Sequence, residues 1–428
     1  LKLLVAKARS PSNTPLVREF LSFGSSTALV QGSSLVSGLV VAAMVSPAAW
    51  GSWYLLNLII VYGMLTQFGV LNGMNREVPA ALGKGLVDQA LELRRSALAM
   101  LLVSIAASTV ALLGLGAVLP NVRLTDEFLL TVALLFTSQV YGYVTASLRS
   151  TTNFAELSRL QVLRALIYPA LAIGGAALYQ VPGFILGQAV ALLLVSLAGR
   201  TTSTVTWRPR FDWARGASLI RIGFPIMLVG FVHSLFATVD RWVVAAYLGP
   251  EPLGHYSLAI MALSAVALVP QVISQQFYPR MAFAWSADRD AQRLRRLAGN
   301  QRLLSFAFVV PLVVLLVVAA PPLVRWLLPA YVAGIPPLVV TLLVPLASTI
   351  GEGYGNVLNV LDKQTWYLYA IVLAVAVNLG VSFALVGPLG LVGVAWGTFA
   401  AFAVLALLRV LLGATALRRA ERQTGAGA

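Results

Sequence analysis

Val40-Val41-Ala42-Ala43-Met44-Val45-Ser46-Pro47-Ala48-Ala49-Trp50-Gly51-Ser52-Trp53 meets its own likeness 203 residues further on, as Val243-Val244-Ala245-Ala246-Tyr247-Leu248-Gly249-Pro250-Glu251-Pro252-Leu253-Gly254-His255-Tyr256. Six of the 14 positions are identical, and both copies carry a proline and a glycine four apart, with an aromatic two beyond the glycine. Apolar composition alone supplies Val and Ala matches, but not that punctuation. At the same offset Arg18 meets Arg221; with one residue inserted, Gln67 meets Gln271, Asn72 meets Gln276 and Arg76 meets Arg280. The chain therefore reads as an internal duplication, and what is duplicated is a set of hydrophobic spans.

Around the repeat, the 428 residues are 59% hydrophobic and 11% charged, with mean hydropathy +0.86. A water-soluble surface carries roughly a quarter charged residues, so most of this surface must face lipid. No Asp, Glu, Lys or Arg occurs in 20–75, 96–122, 128–148, 165–199, 303–324 or 364–408. A spanning helix takes about 20 apolar residues, so the longest of these stretches hold two spans, divided at Ser46-Pro47 and at Gly387-Pro388-Leu389-Gly390. Twelve spans are expected, at 20–45, 53–75, 97–119, 128–148, 160–179, 183–199, 222–247, 256–279, 303–324, 337–361, 366–386 and 391–412. The fold class is an all-α integral membrane protein with about 12 transmembrane helices in two pseudo-symmetric six-helix bundles. The expected divisions are 1–199 for the N-terminal bundle, 200–218 for a basic linker, and 219–428 for the C-terminal bundle and tail. An even number of spans separates the copies, so they run parallel, and paired repeats of this kind are a transporter signature.

The net charge of +15 need not mean nucleic acid. With the N-terminus on the cytoplasmic side, 27 of the 30 Lys and Arg fall on cytoplasmic segments or helix ends, Lys2, Lys7, Arg9, Arg94 and Arg95 among them. Only Arg123, Arg241 and Arg325 lie toward the other side. By the positive-inside rule both termini are cytoplasmic, and anionic membrane lipids supply the counter-charge. The N-terminal basic segment runs into a span too long for a signal-peptide core. No cysteine is present, which excludes disulfides and thiolate metal sites. The linker stretch 207–221 interleaves Trp207, Phe211 and Trp213 with Arg208, Arg210 and Arg215. It fits an interfacial amphipathic segment or an ordinary positive-inside connection equally well.

The stretch from Asp240-Arg241 through Leu248-Gly249-Pro250-Glu251 to Leu253-Gly254-His255-Tyr256 resembles the seventh-to-eighth helix junction of the polysaccharide flippase (Wzx-type) family. That family lies within the multidrug/oligosaccharidyl-lipid/polysaccharide exporter superfamily. Phe277-Tyr278-Pro279-Arg280, Leu328-Pro329-Ala330-Tyr331 and the run from Val386-Gly387-Pro388 to Val394-Ala395 agree in order and spacing. The resemblance implies alternating access around a central cavity. It also implies a cargo, an oligosaccharide on polyprenyl pyrophosphate, moved from the cytoplasmic to the outer leaflet of the cytoplasmic membrane. A glycan polymerase or export machinery would then be a partner.

Phosphate charge cannot cross hydrocarbon unsolvated, and arginine can hold it through two parallel hydrogen bonds. Arg76, Arg149, Arg164, Arg221 and Arg280, at the ends of the second, fourth, fifth, seventh and eighth spans, are the candidate substrate-binding cations; each also fits snorkelling to lipid headgroups. Gln67, Asn72, Gln271 and Gln276 suit sugar hydroxyls, or serve as interhelical glue. Ionisable residues deep in a span mark ion or proton pathways. His233 and Asp240, seven apart and therefore on one stripe, with Arg241 beside them and Glu352 in the tenth span, are the ion-coupling candidates, the ion being a proton or sodium. Pairing of Asp240 with Arg241, or of Arg241 with Glu352, is the structural alternative. No metal or cofactor site is read. A cation-coupled multidrug antiporter of the same fold is the rival function. A membrane glycosyltransferase or polysaccharide polymerase is a more distant one, since such enzymes need a sizeable outer loop bearing catalytic groups and the outer connections here are short. The reading is a transporter, not an enzyme.

Overall fold

A computed structural model describes residues 13–118, 125–201 and 205–425, with side chains described for 24–117, 125–200, 205–287 and 289–422. Lys2, Lys7, Arg9 and Arg123, which entered the charge count, lie outside the described residues. Fifteen α-helices follow one another among the described residues: α1 (Asn13–Ala42), α2 (Pro47–Gly63), α3 (Val70–Gly83), α4 (Val87–Val118), α5 (Asp126–Ser150), α6 (Phe154–Ala198), α7 (Trp213–Phe236), α8 (Val239–Tyr247), α9 (Pro250–Asp288), α10 (Ala291–Leu327), α11 (Ile335–Thr341), α12 (Val344–Ile350), α13 (Tyr354–Val360), α14 (Gln364–Leu389) and α15 (Leu391–Gly425). Eleven stretches among them are long and apolar enough to cross a membrane. One, α6, reverses direction at Tyr179 and Gln180, whose backbone leaves the helical region. Its two arms run close together: a Cβ on Gly183 would sit 2.6 Å from the Gly175 carbonyl carbon, and one on Gly187 2.6 Å from that of Leu171. Counted as two, α6 brings the spans to the twelve read from the sequence. The protein is an integral membrane protein.

Helix starts follow local chemistry. The Thr125 hydroxyl accepts from the Phe128 amide at 3.3 Å ahead of α5, and the Asp290 carboxylate from the Arg293 amide at 2.9 Å ahead of α10. Pro250 opens α9, where its missing N–H costs nothing. Outward faces are apolar: Leu178, Val318 and Trp326 are each more than 70% exposed on the protein's own surface, as suits side chains whose solvent is acyl chain.

Three spans that read as continuous are broken. The second is interrupted at 64–69, where a 3₁₀ turn leads into Phe68 and Gly69 in the left-handed region. The seventh breaks at Ala237–Thr238, between α7 and α8. The tenth consists of α11, α12 and α13, with turns at 342–343 and 351–353, the second using Gly353 at φ +83°.

The chain divides into two compact units. The first comprises the residues up to Val45 with Leu56–Phe231, the second Ser46–Leu55 with Val232–Ala428. The division thus falls inside α7, beyond the expected start of the C-terminal bundle at 219. The cause is packing without side chains. A Cβ on Gly73 would meet the Leu219 backbone and one on Gly223 the Gly73 amide at 2.5 Å, so α3 and the first half of α7 lie backbone to backbone. The linker is tied to the same unit: Glu92 accepts from Arg95 at 2.9 Å, Arg210 at 3.0 Å and Arg215 at 3.4 Å, and the Tyr143 hydroxyl donates to the Thr206 carbonyl at 2.8 Å. Phe211 and Trp213 stack on each other, exposed.

In the second unit the two repeated motifs meet. Pro47 and Pro250 begin α2 and α9, and each glycine one turn on admits the other's proline carbonyl. A Cβ on Gly51 would lie 2.7 Å from the Pro250 carbonyl carbon and one on Gly254 2.6 Å from that of Pro47. Two apolar clusters complete this unit. One joins Phe277, Met281, Leu294, Val357 and Leu417, and the other Phe236, Ile371, Ala374 and Leu405.

A mixed-charge cavity in the second unit

Between these clusters lies a cavity of about 600 Å³, lined by α7, α8, α9, α10, the broken tenth span, α14 and α15. Helix breaks place its ionisable groups. The turn at 237–238 ends α7 just after His233 and starts α8 just before Asp240, so the two line one cavity although no continuous stripe connects them. Asp240 is 6% exposed. Its Oδ2 accepts from the Tyr256 hydroxyl at 3.0 Å, and its Oδ1 from the Arg241 amide at 2.8 Å. The Tyr256 hydroxyl also lies 3.4 Å from the Thr398 hydroxyl.

The turn at 351–353 presents Glu352. Its Oε2 accepts from Gln301 Nε2 at 3.1 Å; Gln301 Oε1 accepts from Asn356 Nδ2 at 2.9 Å, and Asn356 in turn pairs with the Ser274 hydroxyl at 2.9 Å. Across the cavity Arg409 donates to the Tyr367 hydroxyl at 2.5 Å, with its guanidinium carbon 5.1 Å from that ring. Two carboxylates and two guanidiniums therefore share one lining with His233.

Neither ion pair of the structural alternative closes to contact distance among the described residues. Among the described residues no carboxylate lies within 4 Å of Arg241; its guanidinium instead sits 5.7 Å from the ring centre of Tyr54. Asp240 is satisfied by a tyrosine hydroxyl and a backbone amide, which need no second charge. Of the residues singled out in the sequence, the cavity collects His233, Asp240, Arg241, Glu352 and Gln271. Gln276 is exposed and does not line it, and neither does Arg280, exposed at the end of the eighth span with its guanidinium 5.8 Å from the Phe277 ring. In the first unit Arg76, Arg149 and Arg221 are exposed. Arg164 is half-buried, 5.0 Å from the Tyr141 ring and 5.4 Å from that of Tyr168. Gln67 is buried, its Oε1 without a hydrogen-bond partner among the described residues, and Asn72 is half-buried.

Arg409, Gln301, Asn356 and Tyr256 are additions the sequence reading lacked. Arg409 follows an uncharged run ending at Leu408 and passes for the cytoplasmic end of the last span, yet α15 continues to Gly425. Several more turns of helix after a lone cation were the available signal.

Solved structures with this fold are transporters. One is an inward-facing multidrug resistance MATE family transporter of the MOP superfamily, matched with TM-score 0.76 at 13% identity over 91% of this chain and 95% of that one. Another is the lipid II flippase MurJ in an inward closed conformation, with TM-score 0.71 at 14% identity over 91% and 86%. A third is a MOP superfamily transporter from Pyrococcus furiosus described as having a binding pocket of reversed polarity, with TM-score 0.64 at 14% identity over 95% and 96%. At such identities the likeness is one of fold alone, that of an all-α membrane protein. No curated protein matches the sequence. Residues 40–331 match the polysaccharide biosynthesis protein family, and the chain belongs to it.

Proposed function

We propose that the protein is a flippase that carries polyprenyl-pyrophosphate-linked oligosaccharide from the cytoplasmic to the outer leaflet of the cytoplasmic membrane by alternating access, with both termini cytoplasmic. Membership of a polysaccharide biosynthesis family in a chain with a transporter fold carries this reading. The charge of the second-unit cavity supports it against a cation-coupled multidrug antiporter: a site for lipophilic cations gains from unbalanced carboxylates, whereas Asp240 and Glu352 here face Arg241 and Arg409. Arg76, Arg149, Arg164, Arg221 and Arg280 serve the pyrophosphate. Gln67, Asn72, Gln271 and Gln276 serve sugar hydroxyls. A coupling proton or sodium ion acts at His233 and Asp240 beside Arg241, which line the same cavity.

In a strain lacking the gene, lipid-linked glycan should accumulate on the cytoplasmic face, and the wild-type chain should clear it. Arg76→Ala and Arg280→Ala should clear it at least tenfold more slowly, the loss expected when a charge-assisted contact worth about 1.5–3 kcal/mol is removed. Full export by both variants removes the arginine assignment; no accumulation in the deletion strain removes the flippase reading.

A further inference from the structure

We infer that the part of the second-unit cavity formed by Gln271, Ser274, Gln301, Glu352, Asn356 and Arg409 is a saccharide subsite, one that recognises neutral pyranose rings by their hydroxyls. This deepens the flippase reading and rests on it, because that cargo brings a hydroxyl-rich head into the protein.

The first argument is the order of the polar groups. The relay from Ser274 through Asn356 and Gln301 to Glu352 is held by hydrogen bonds of 2.9, 2.9 and 3.1 Å, so each side chain is oriented before any ligand arrives. What the relay leaves over is specific. Among the described residues Glu352 Oε1 accepts from nothing, and Arg409, whose one hydrogen bond goes to Tyr367, has a terminal nitrogen without an acceptor. Gln271, exposed and lining the cavity, also has no hydrogen-bond partner among the described residues. A free acceptor and free donors in one lining complement vicinal hydroxyls, each of which donates one hydrogen bond and accepts others. A phosphate, which only accepts, would leave Glu352 opposed, and a cation would leave Arg409 opposed.

The second argument is shape. Tyr367 and Phe402 line the same space and add apolar ring surface against which the C–H side of a sugar ring can pack. Gly351, Gly353 and Gly355 line it where the tenth span is broken, so the backbone adds no side-chain bulk there. A Cβ on Gly355 would already touch Arg409 Nε at 3.9 Å, and anything longer would fill the space in front of the guanidinium. The volume of about 600 Å³ falls within the 300–1,000 Å³ typical of small-ligand pockets.

The test uses the full chain in phospholipid nanodiscs prepared without glycoside detergents, and saturation-transfer NMR. The probes are the methyl pyranosides of glucose, galactose, mannose and N-acetylglucosamine, with inorganic pyrophosphate and tetraphenylphosphonium as competitors. Magnetisation should reach at least one pyranoside, neither ion should displace it at equal concentration, and Asn356→Leu and Gln301→Leu should each weaken it about fivefold to tenfold. Gln271→Leu, which breaks no internal hydrogen bond, should weaken it several-fold with the melting curve unchanged. Transfer to none of the pyranosides, displacement by either ion, or unaltered binding in Gln271→Leu overturns the subsite. If binding fails while the wild-type chain still clears lipid-linked glycan in the deletion strain, the subsite alone is lost; if that strain accumulates no such glycan, the flippase reading is lost whatever the NMR gives.

Discussion

Gly51→Ala should destabilise the protein by about 1–3 kcal/mol, the usual range for overpacking a filled interior. The added methyl carbon would overlap the Pro250 carbonyl oxygen and lie 2.7 Å from its carbon and 2.8 Å from the Gly254 amide nitrogen, against about 3.5–4.0 Å for comfortable contact, so α2 and α9 must part by more than about 1 Å. Both neighbours are backbone and cannot rotate away. Gly254→Ala meets the Pro47 backbone in the same manner and should cost the same. One separation of the helices makes room for both methyls. The double variant should therefore cost little more than either single one, a coupling of at least 1 kcal/mol between contacting sites. Gly174→Ala is the control: a Cβ there meets nothing within 4 Å, and alanine should be neutral or stabilise by up to about 1 kcal/mol. Tryptophan-fluorescence melting and denaturant titration in mixed micelles provide the readout. The reasoning fails if Gly51→Ala is as stable as Gly174→Ala, or if the double variant costs the full sum of the singles.

Tyr256→Phe removes the hydroxyl that serves Asp240, and should cost about 1–3 kcal/mol in melting experiments, with a smaller loss when Asp240 is already Asn. Gly353→Ala should also destabilise, by on the order of 1–3 kcal/mol, since φ is +83° and its Cβ would sit 2.8 Å from Ala298 Cα; a melting curve matching wild type would refute this. Glu92→Gln leaves Arg95, Arg210 and Arg215 without their shared carboxylate. Tryptic cleavage after Arg210 should then quicken about fivefold, in step with roughly 1 kcal/mol for a partly exposed network, and the difference should shrink at high salt.

The spans were legible because lipid imposes one rule on every outward residue, and the turn at Gly387-Pro388-Leu389-Gly390 was legible because Gly390 takes a φ of +56° between α14 and α15. The repeat was legible as punctuation, and Pro47, Gly51, Pro250 and Gly254 prove to be one another's neighbours. The broken spans were harder to read. Phe68-Gly69 and Gly351 to Gly355 carry glycines that hint at interruption, but Ala237-Thr238 carries neither glycine nor proline, and nothing local separates α7 from α8. His233, Asp240 and Glu352 stood out as charges among apolar residues. Their partners did not, because Gln301 and Asn356 are uncharged and 55 residues apart, and only the packing of α10 against α13 joins them. Arg409 was hidden by a helix that outlasts the bilayer.

The interrupted tenth span has a consequence for how the chain sits in its solvent. Irregular backbone at membrane depth is tolerated only where it is enclosed by protein or borders a wet hollow, since acyl chains offer carbonyls and amides nothing to bond. The turn at 342–343 is enclosed by protein, with Leu342 fully buried, whereas that at 351–353 borders the cavity, so the second turn carries an aqueous niche into the bilayer. Its amides should trade protons for deuterons readily, while those of the unbroken α14 beside it stay locked.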